Sequence, residues 1–167
     1  MKWLSRIPSE IADAVALTRD ERPLAWTTDA GGRHIVATEG DLILQRNPPA
    51  YDRIGWEAID KASYADGMLS ISLVPDGEGR VGRLQIPVGD DTKMAVVIRD
   101  RVTSSIVLNQ HIALDGKHGL RVVARRRAGD EELRWGYVFD EGFVPSTATQ
   151  ASIDDLVEQV RLESGLA

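Results

Sequence analysis

Cysteine is absent from the 167 residues of this chain, and its absence removes several classes of chemistry. Without thiols there is no disulfide bond, no thiolate nucleophile, no cysteine-ligated zinc and no iron–sulfur cluster. A chain of this length can bury about 70% of its unfolded surface, so it needs no covalent staple. We therefore expect a protein of a reducing compartment and predict a cytoplasmic location.

Long apolar runs are missing as well. No stretch approaches the ~20 consecutive apolar residues that a membrane-spanning helix needs, so we expect no transmembrane segment. Charged residues interrupt the apolar positions near the N-terminus, which argues against a signal peptide. The net charge is −6, from 20 basic and 26 acidic residues. Specific nucleic-acid binding is therefore not expected, because it needs a dominant positive field.

Catalytic and metal-binding signatures are scarce. The three histidines form no His-x-x-x-His or Glu-x-x-His pair, and neither a Gly-x-Ser-x-Gly nor a Walker sequence occurs. Residues 77–82 match the glycine spacing of a dinucleotide-binding loop. However, Asp76-Gly77 is typical of a hairpin turn, and the strand that follows ends at Pro87. We predict no catalytic residue, no metal ligand and no cofactor.

Strict alternation is what the chain does have, most clearly between Ser105 and Phe139. If residues 128–131 form a loop, the flanking strands pair so that apolar and aromatic residues share one face. Such cross-strand pairs stabilise a sheet by roughly 0.2 to 1 kcal/mol each, and a one-residue slip would mix arginines among the aromatics. We expect this aromatic face to meet the core or a C-terminal helix. The predicted pairs are Ala124 with Trp135, Val122 with Tyr137, and Leu120 with Phe139.

The preceding strand constrains the turn after it. Its aliphatic residues join the aromatic face only if the loop after Leu114 has an odd number of residues. We therefore predict a loop through residues 115–119 in place of a two-residue turn at Asp115-Gly116, with His111 beside Arg121. The opposite face is then predicted to be exposed and basic. It collects Asn109, His111, Arg121, Arg125, Arg127 and Arg134.

Two interpretations of this basic face remain open. Arginines on a solvated sheet face are ordinary and need no function. Alternatively, local positive charge on an acidic chain could attract an anionic partner, such as an acidic protein segment, a lipid surface or a nucleotide. In that case the candidate binding residues are Arg121, Arg125, Arg127, Arg134 and His111.

Apolar spacing predicts helices over residues 8–17, 92–102 and 153–164, with short strands between residues 24 and 87. Trp3 precedes the first helix, and we favour its docking on the domain over contact with a partner. The predicted organisation is an N-terminal helix in residues 1–21, a main domain in 22–102, and a three-stranded meander with a C-terminal helix in 103–167. The last two segments could form one continuous domain.

The main domain carries a pattern of a known kind. A hairpin Ile35–Thr38, turn, Asp41–Leu44 precedes the spacing Ile-x-Trp-x-x-Ile at 54–59, the segment 67–71 and a final helix. This pattern resembles the bacterial PH-like domains. The resemblance implies an α+β fold, a strongly bent antiparallel sheet or partly open barrel with helices at its ends, here extended by the meander. It also implies binding or scaffolding instead of catalysis.

The first hairpin departs from the lipid-binding members of that superfamily. Phosphoinositide-binding PH domains have several basic residues there, whereas Thr28–His34 offers one arginine beside Asp29, so specific phosphoinositide binding is not expected. We expect a non-enzymatic module for protein–protein or anionic-surface contact, with an unknown protein as partner or self-association through a sheet edge. The alternative is a regulatory domain that binds a small ligand or nucleotide in the mouth of the bent sheet.

Overall fold

The computed structural model describes residues 6–166, and the prediction for Trp3 lies outside them. The described chain forms three antiparallel sheets and four α-helices. The predicted α+β class, with antiparallel sheets, helices at their ends and a C-terminal meander, is confirmed.

The first sheet is a meander of four consecutive strands whose two central strands are almost fully buried. A short helix, α1 (Ser9–Ala14), covers one side by placing Ile11 against Val36 and Ile43. It is shorter than the predicted 8–17 because Ala16 has a φ of 49°, which a right-handed helix cannot include. The strands are β1 (Pro23–Thr28), β2 (His34–Thr38), β3 (Asp41–Gln45) and β4 (Tyr51–Gly55), paired in that order.

A second meander follows after one 3-10 turn at Trp56–Ala58. Its strands are β5 (Ile59–Ala65), β6 (Met68–Leu73) and β7 (Arg83–Pro87). The helix α2 (Thr92–Ser105) comes next, and Asp91 caps it by accepting a hydrogen bond from the Met94 amide at 3.1 Å. The predicted helix at 92–102 is therefore confirmed, with a longer C-terminal end.

Both meanders and α2 share one hydrophobic core. The buried stripe of α2, which is Met94, Ile98 and Val102, packs with buried aliphatic residues of both sheets. Trp56 is 3% exposed, and its indole Nε1 donates to the Thr38 carbonyl at 3.1 Å. The tryptophan therefore joins the turn before β5 to the end of β2 without leaving a polar atom unpaired.

The third sheet has the order β10-β9-β8, formed by β8 (Ile106–Asp115), β9 (His118–Arg126) and β10 (Leu133–Phe139). All three predicted aromatic-face pairs are confirmed: Trp135 lies opposite Ala124, Tyr137 opposite Val122 and Phe139 opposite Leu120. His111 lies opposite Arg121, also as predicted.

The predicted loop through residues 115–119 is wrong in its length. The strands continue to Asp115 and resume at His118, so only Gly116 and Lys117 form the turn. A β-bulge between Ala113 and Asp115 adds one residue to β8, and this residue shifts the register as a loop with an odd number of residues would have done. Gly119 permits the close approach, since a Cβ there would lie 1.9 Å from the Ile112 carbonyl oxygen.

The C-terminal helix α4 (Ile153–Ser164) has the predicted bounds and covers the aromatic face. Ile153 and Val160 are 1% and 3% exposed and pack with Leu120 and Val122 of β9. A short helix, α3 (Thr147–Ala151), precedes α4. Within the described chain no helix combines the length and apolar character needed to cross a bilayer.

We use "first lobe" for β1–β7 with α2, and "second lobe" for β8–β10 with α4. The lobes are directly connected, because α2 ends at Ser105 and β8 begins at Ile106. The boundary after residue 102 stays a prediction.

Candidate functional site

The arginine face of the third sheet is turned towards the first lobe. Arg125 shows this most clearly, because the residue is only 4% exposed. The predicted exposed basic face is therefore wrong at its centre. The arginines of this face form ion pairs with acidic residues of the first lobe of the same chain, namely Asp41, Glu57 and Asp60.

Arg125 makes its contacts with groups from two elements of the first lobe. Its Nη2 donates to Oδ1 and to the backbone carbonyl of Asp60, both at 3.3 Å, and its Nη1 donates to Oγ of Ser105 at 3.3 Å. Burial lowers the pKa of the Arg125 guanidinium, and the charge of Asp60 opposes that effect. The Arg125 guanidinium is thus bound by Asp60 of β5 and by Ser105, the last residue of α2.

Arg127 and Arg134 extend these contacts along the boundary between the lobes. Arg127 donates to Asp41 Oδ1 at 2.9 Å, and its Nη1 lies 3.6 Å from Oε1 of Glu57. Arg134 Nη1 lies 3.3 Å from the same Glu57 oxygen. Arg121 is more loosely placed, at 3.9 Å from Asp60 Oδ2. We call Arg121, Arg125, Arg127 and Arg134 with Asp41, Glu57 and Asp60 the inter-lobe cluster.

The cluster continues through Arg53 to the segment before β1. Arg53 donates to the carboxylate of Glu21 and lies 3.6 Å from Asp41 Oδ2. The hydrogen bond from Arg53 lowers the pKa of Glu21 to about 2. Glu21 is therefore ionised in the folded protein well below the pH at which a free glutamate takes up a proton.

Glu57 is the unusual member of the inter-lobe cluster. Its side chain is 2% exposed, and its Oε2 is buried with no hydrogen-bond partner among residues 6–166. Gly55 makes room for the carboxylate, because a Cβ at that position would lie 2.5 Å from both carboxylate oxygens. A buried acceptor without a partner carries a free-energy cost of about 1–3 kcal/mol, more when charged. Such a group is available to a ligand that brings a donor.

A cleft of about 280 Å³ opens between the lobes beside Glu57. Its polar residues are Glu57, Asp60, Arg125 and Arg134, and Gly136 forms part of the β10 side. The apolar wall comes from both lobes and includes Leu73, Val74, Pro75, Val123 and Val138. The volume and composition suit a small organic molecule with one apolar side.

His111 lies opposite Arg121 but pairs with an acid outside the inter-lobe cluster. Its Nε2 is 2.8 Å from Oδ2 of Asp140, and the same oxygen accepts the Gly119 amide at 2.8 Å. The hydrogen bond with His111 is the main cause that lowers the pKa of Asp140. Of the five residues predicted to bind a partner, the structure therefore brings the four arginines together and places His111 in a separate clamp at the end of β10.

The outer edge of β8 is a second feature of the site region. β8 lies at one edge of the third sheet and is ten residues long. No Asp, Glu, Lys or Arg occurs from Ile106 to Leu114, and Val107 is 38% exposed. Exposed edge strands usually carry lysine, proline or other features that prevent pairing with a further strand.

Sequence reasoning did not identify the three acids that receive the arginines. Asp41, Glu57 and Asp60 each stand at the start of a strand or in a short turn, where acids are common. The available signal was their position next to or within apolar segments: Asp41 directly precedes Leu42–Leu44, Glu57 lies within Ile54–Ile59, and Asp60 directly follows that segment. An acid in such a segment is expected to be buried, and a buried acid needs a partner.

Comparisons with known proteins leave the family open: no protein-family model matches the chain, and no curated protein matches it significantly. Within residues 6–166, no group of three or more His, Asp or Glu side chains is placed to hold a metal ion.

Removal of Asp60 should strongly destabilise the fold. Asp60→Ala leaves the Arg125 charge buried without its carboxylate, and we expect a loss of about 3–5 kcal/mol in the free energy of unfolding. Asp52→Ala is the matched control, because the Arg46–Asp52 pair is 50% and 48% exposed and should contribute less than about 1 kcal/mol. Urea denaturation measures both. Equal losses would contradict the role given to Arg125.

Acid should weaken the contribution of Glu21 in a defined range. The pKa of Glu21 falls from 4.5 to about 2 on folding, so its stabilising effect is complete above pH 4.5 and is lost as the pH falls towards 2. The stability difference between the wild type and Glu21→Gln should shrink over that range in urea denaturation. Glu141→Gln, at an exposed position, is the control. A difference that stays constant from pH 7 to 2 would contradict the assignment.

Proposed function

We propose that this protein is a non-enzymatic binding or scaffolding module that contacts a protein partner through the open edge of β8. The observation that carries the proposal is a ten-residue edge strand without Asp, Glu, Lys or Arg from Ile106 to Leu114. Its unpaired backbone groups are a template for a further strand. Binding by strand addition takes affinity from main-chain hydrogen bonds and specificity from the alternating side chains.

The first lobe is proposed to be PH-like. Two features support this: consecutive strands form a four-stranded and then a three-stranded antiparallel meander, and the helix that follows packs into their common core. In this proposal the first lobe is the rigid base. The second lobe, held on it by the inter-lobe cluster, presents β8 to solvent.

Contact with a protein is favoured over contact with an anionic surface. The arginines that would bind an anion already face carboxylates of the first lobe, and Arg125 is buried. An anionic partner would have to compete with Asp41, Glu57 and Asp60 for the same guanidinium groups. The edge of β8 needs no such exchange.

Photo-crosslinking in the native cells tests this function. A photoreactive amino acid in place of the exposed Ala113 should link a polypeptide, whereas the same residue in place of Val144, which is 86% exposed, should not. Asn109→Pro, added to the variant with the photoreactive residue at position 113, should abolish the link. Proline removes the backbone amide that would bond to the partner strand, and an edge strand can accept proline without unfolding. The proposal fails if position 113 links no more polypeptide than position 144.

A small-ligand role is the second candidate, and the unpaired Oε2 of Glu57 beside the inter-lobe cleft is the observation that favours it. The ligand would combine an N–H donor for Glu57 with an apolar body for the wall that contains Val74. Gly136 provides a way to close the cleft, since its Cβ would already lie 3.9 Å from Val74 Cγ1. A longer side chain there would occupy the space of the ligand.

A thermal-shift screen of metabolites tests the second candidate. A true ligand at 100 times its dissociation constant adds about 2.7 kcal/mol to the stability of the wild type. Gly136→Leu and Glu57→Gln should each remove that shift. A glycine-to-leucine control at Gly129, in the β9–β10 loop, would strain the backbone, because Gly129 has a φ of 81°. Val144→Leu, at an exposed position, serves instead. A shift that survives in Gly136→Leu would exclude the cleft.

A further inference from the structure

The backbone groups of β8 that point away from the sheet can be assigned from the strand register. The Asp140 amide donates to the Gly119 carbonyl at 2.9 Å, next to the Phe139–Leu120 pair. Hydrogen bonding alternates along an antiparallel pair, so Arg121 and Val123 of β9 bond to β10 and the residues between them bond to β8. By the same alternation, the β8 residues that bond to β9 are Leu108, Gln110 and Ile112.

The outward-facing amides and carbonyls of β8 therefore belong to Asn109, His111 and Ala113. Among residues 6–166, no further strand pairs with β8 on this side. The regular stretch between the bulges, which begins at Leu108 and ends at Ala113, is centred close to Gln110. The bulges twist the ends of β8 away, which leaves this central stretch as the part that can accept a strand.

The edge of β10 differs from that of β8. Val74 and Pro75 of the first lobe line the same cleft as Arg134 to Val138 of β10, so the first lobe lies close to β10. The first lobe also approaches the start of β8, where Val107 lines a second cleft with Glu39 and Trp56. The stretch from Leu108 to Ala113 lines neither cleft.

We propose that the β8 edge pairs with the β8 edge of a second copy of this chain, antiparallel about a twofold axis at Gln110. This inference rests on the proposed function and names its partner. In that register Asn109 of one copy forms a hydrogen-bonded pair with His111 of the other, and Gln110 faces Gln110 in a non-hydrogen-bonded pair. The two three-stranded sheets become one sheet of six strands.

Self-complementarity is the reason to choose a second copy. The register places Leu108 of one copy opposite Ile112 of the other, twice across the axis, so aliphatic residues meet on the face that α4 covers. No like charges from Asp, Glu, Lys or Arg meet, because the regular stretch from Leu108 to Ala113 contains none of these residues. A twofold interface needs this property, because each residue of the patch meets the patch itself. A strand without Asp, Glu, Lys or Arg between Ile106 and Leu114 also has no fixed charge that would select a different, charged partner.

Disulfide crosslinking of single-cysteine variants tests this register directly, because the chain has no cysteine of its own. Gln110→Cys should give a covalent dimer on mild oxidation, since cross-strand Cβ atoms in a non-hydrogen-bonded pair are about 4.5–5.5 Å apart. Ala113→Cys should not, because the two copies of residue 113 are then about 20 Å apart along the strand, at ~3.3 Å per residue. Both yields are measured by non-reducing electrophoresis. Equal yields for the two variants would overturn the proposed pairing.

Two double variants that differ only in the charge at position 109 test the same pairing without a crosslink. Asn109→Lys with His111→Lys places like charges opposite each other twice across the axis, whereas Asn109→Glu with His111→Lys places opposite charges there. Both replace His111 by the same lysine beside Asp140, so this change is common to the two variants. In sedimentation equilibrium the first variant should dimerise at least about tenfold more weakly than the second. Circular dichroism checks that both are folded.

Three results would overturn the inference: a wild type that stays monomeric up to its solubility limit, equal association of the two charge variants, or tighter association of the lysine pair. The proposed function fails separately. If position 113 links a different polypeptide in cells while the purified wild type is monomeric, β8 binds a protein and that protein is not a second copy.

Discussion

The buried Arg125 guanidinium is the interaction on which the arrangement of the two lobes depends. Removal of a charge from water costs several kcal/mol, so the group must be fully partnered where it lies. It is partnered by Asp60 on β5 and by Ser105 at the end of α2. One side chain of β9 therefore holds two elements of the first lobe, and the arginine face of the third sheet has to turn towards them.

That orientation decides what the other surfaces of the second lobe can do. With the arginine face against the first lobe, the aromatic face turns away from it and is covered by α4. Strand β10 comes to lie near Val74, and among residues 6–166 no further strand pairs with the outer edge of β8. The proposed protein-binding role for β8 rests on this placement. The cleft beside Glu57 arises at the same boundary, where two rigid lobes meet without filling the space between them.

Local patterns predicted the third sheet well and its surroundings poorly. The aromatic pairs of Trp135 and Tyr137 were accessible because the side-chain period of a strand is a local property. The predicted length of the loop after Leu114 was wrong. A β-bulge and a loop with an odd number of residues shift the strand register by the same amount, so the alternation of side chains cannot distinguish them. The apolar stripes of α2 and α4 predicted both helices correctly. α1 ends earlier than predicted because Ala16 has a positive φ, which no sequence pattern indicated.

The sequence by itself determined the strands, the two faces of the third sheet, the helix that covers one face, and the absence of thiol chemistry. Each of these depends on residues that are close in the chain. Only the tertiary structure decided that Arg125 is buried and that the arginines meet Asp41, Glu57 and Asp60. Those partners are distant in sequence, and whether a charged side chain is solvated or paired depends on what the fold brings against it.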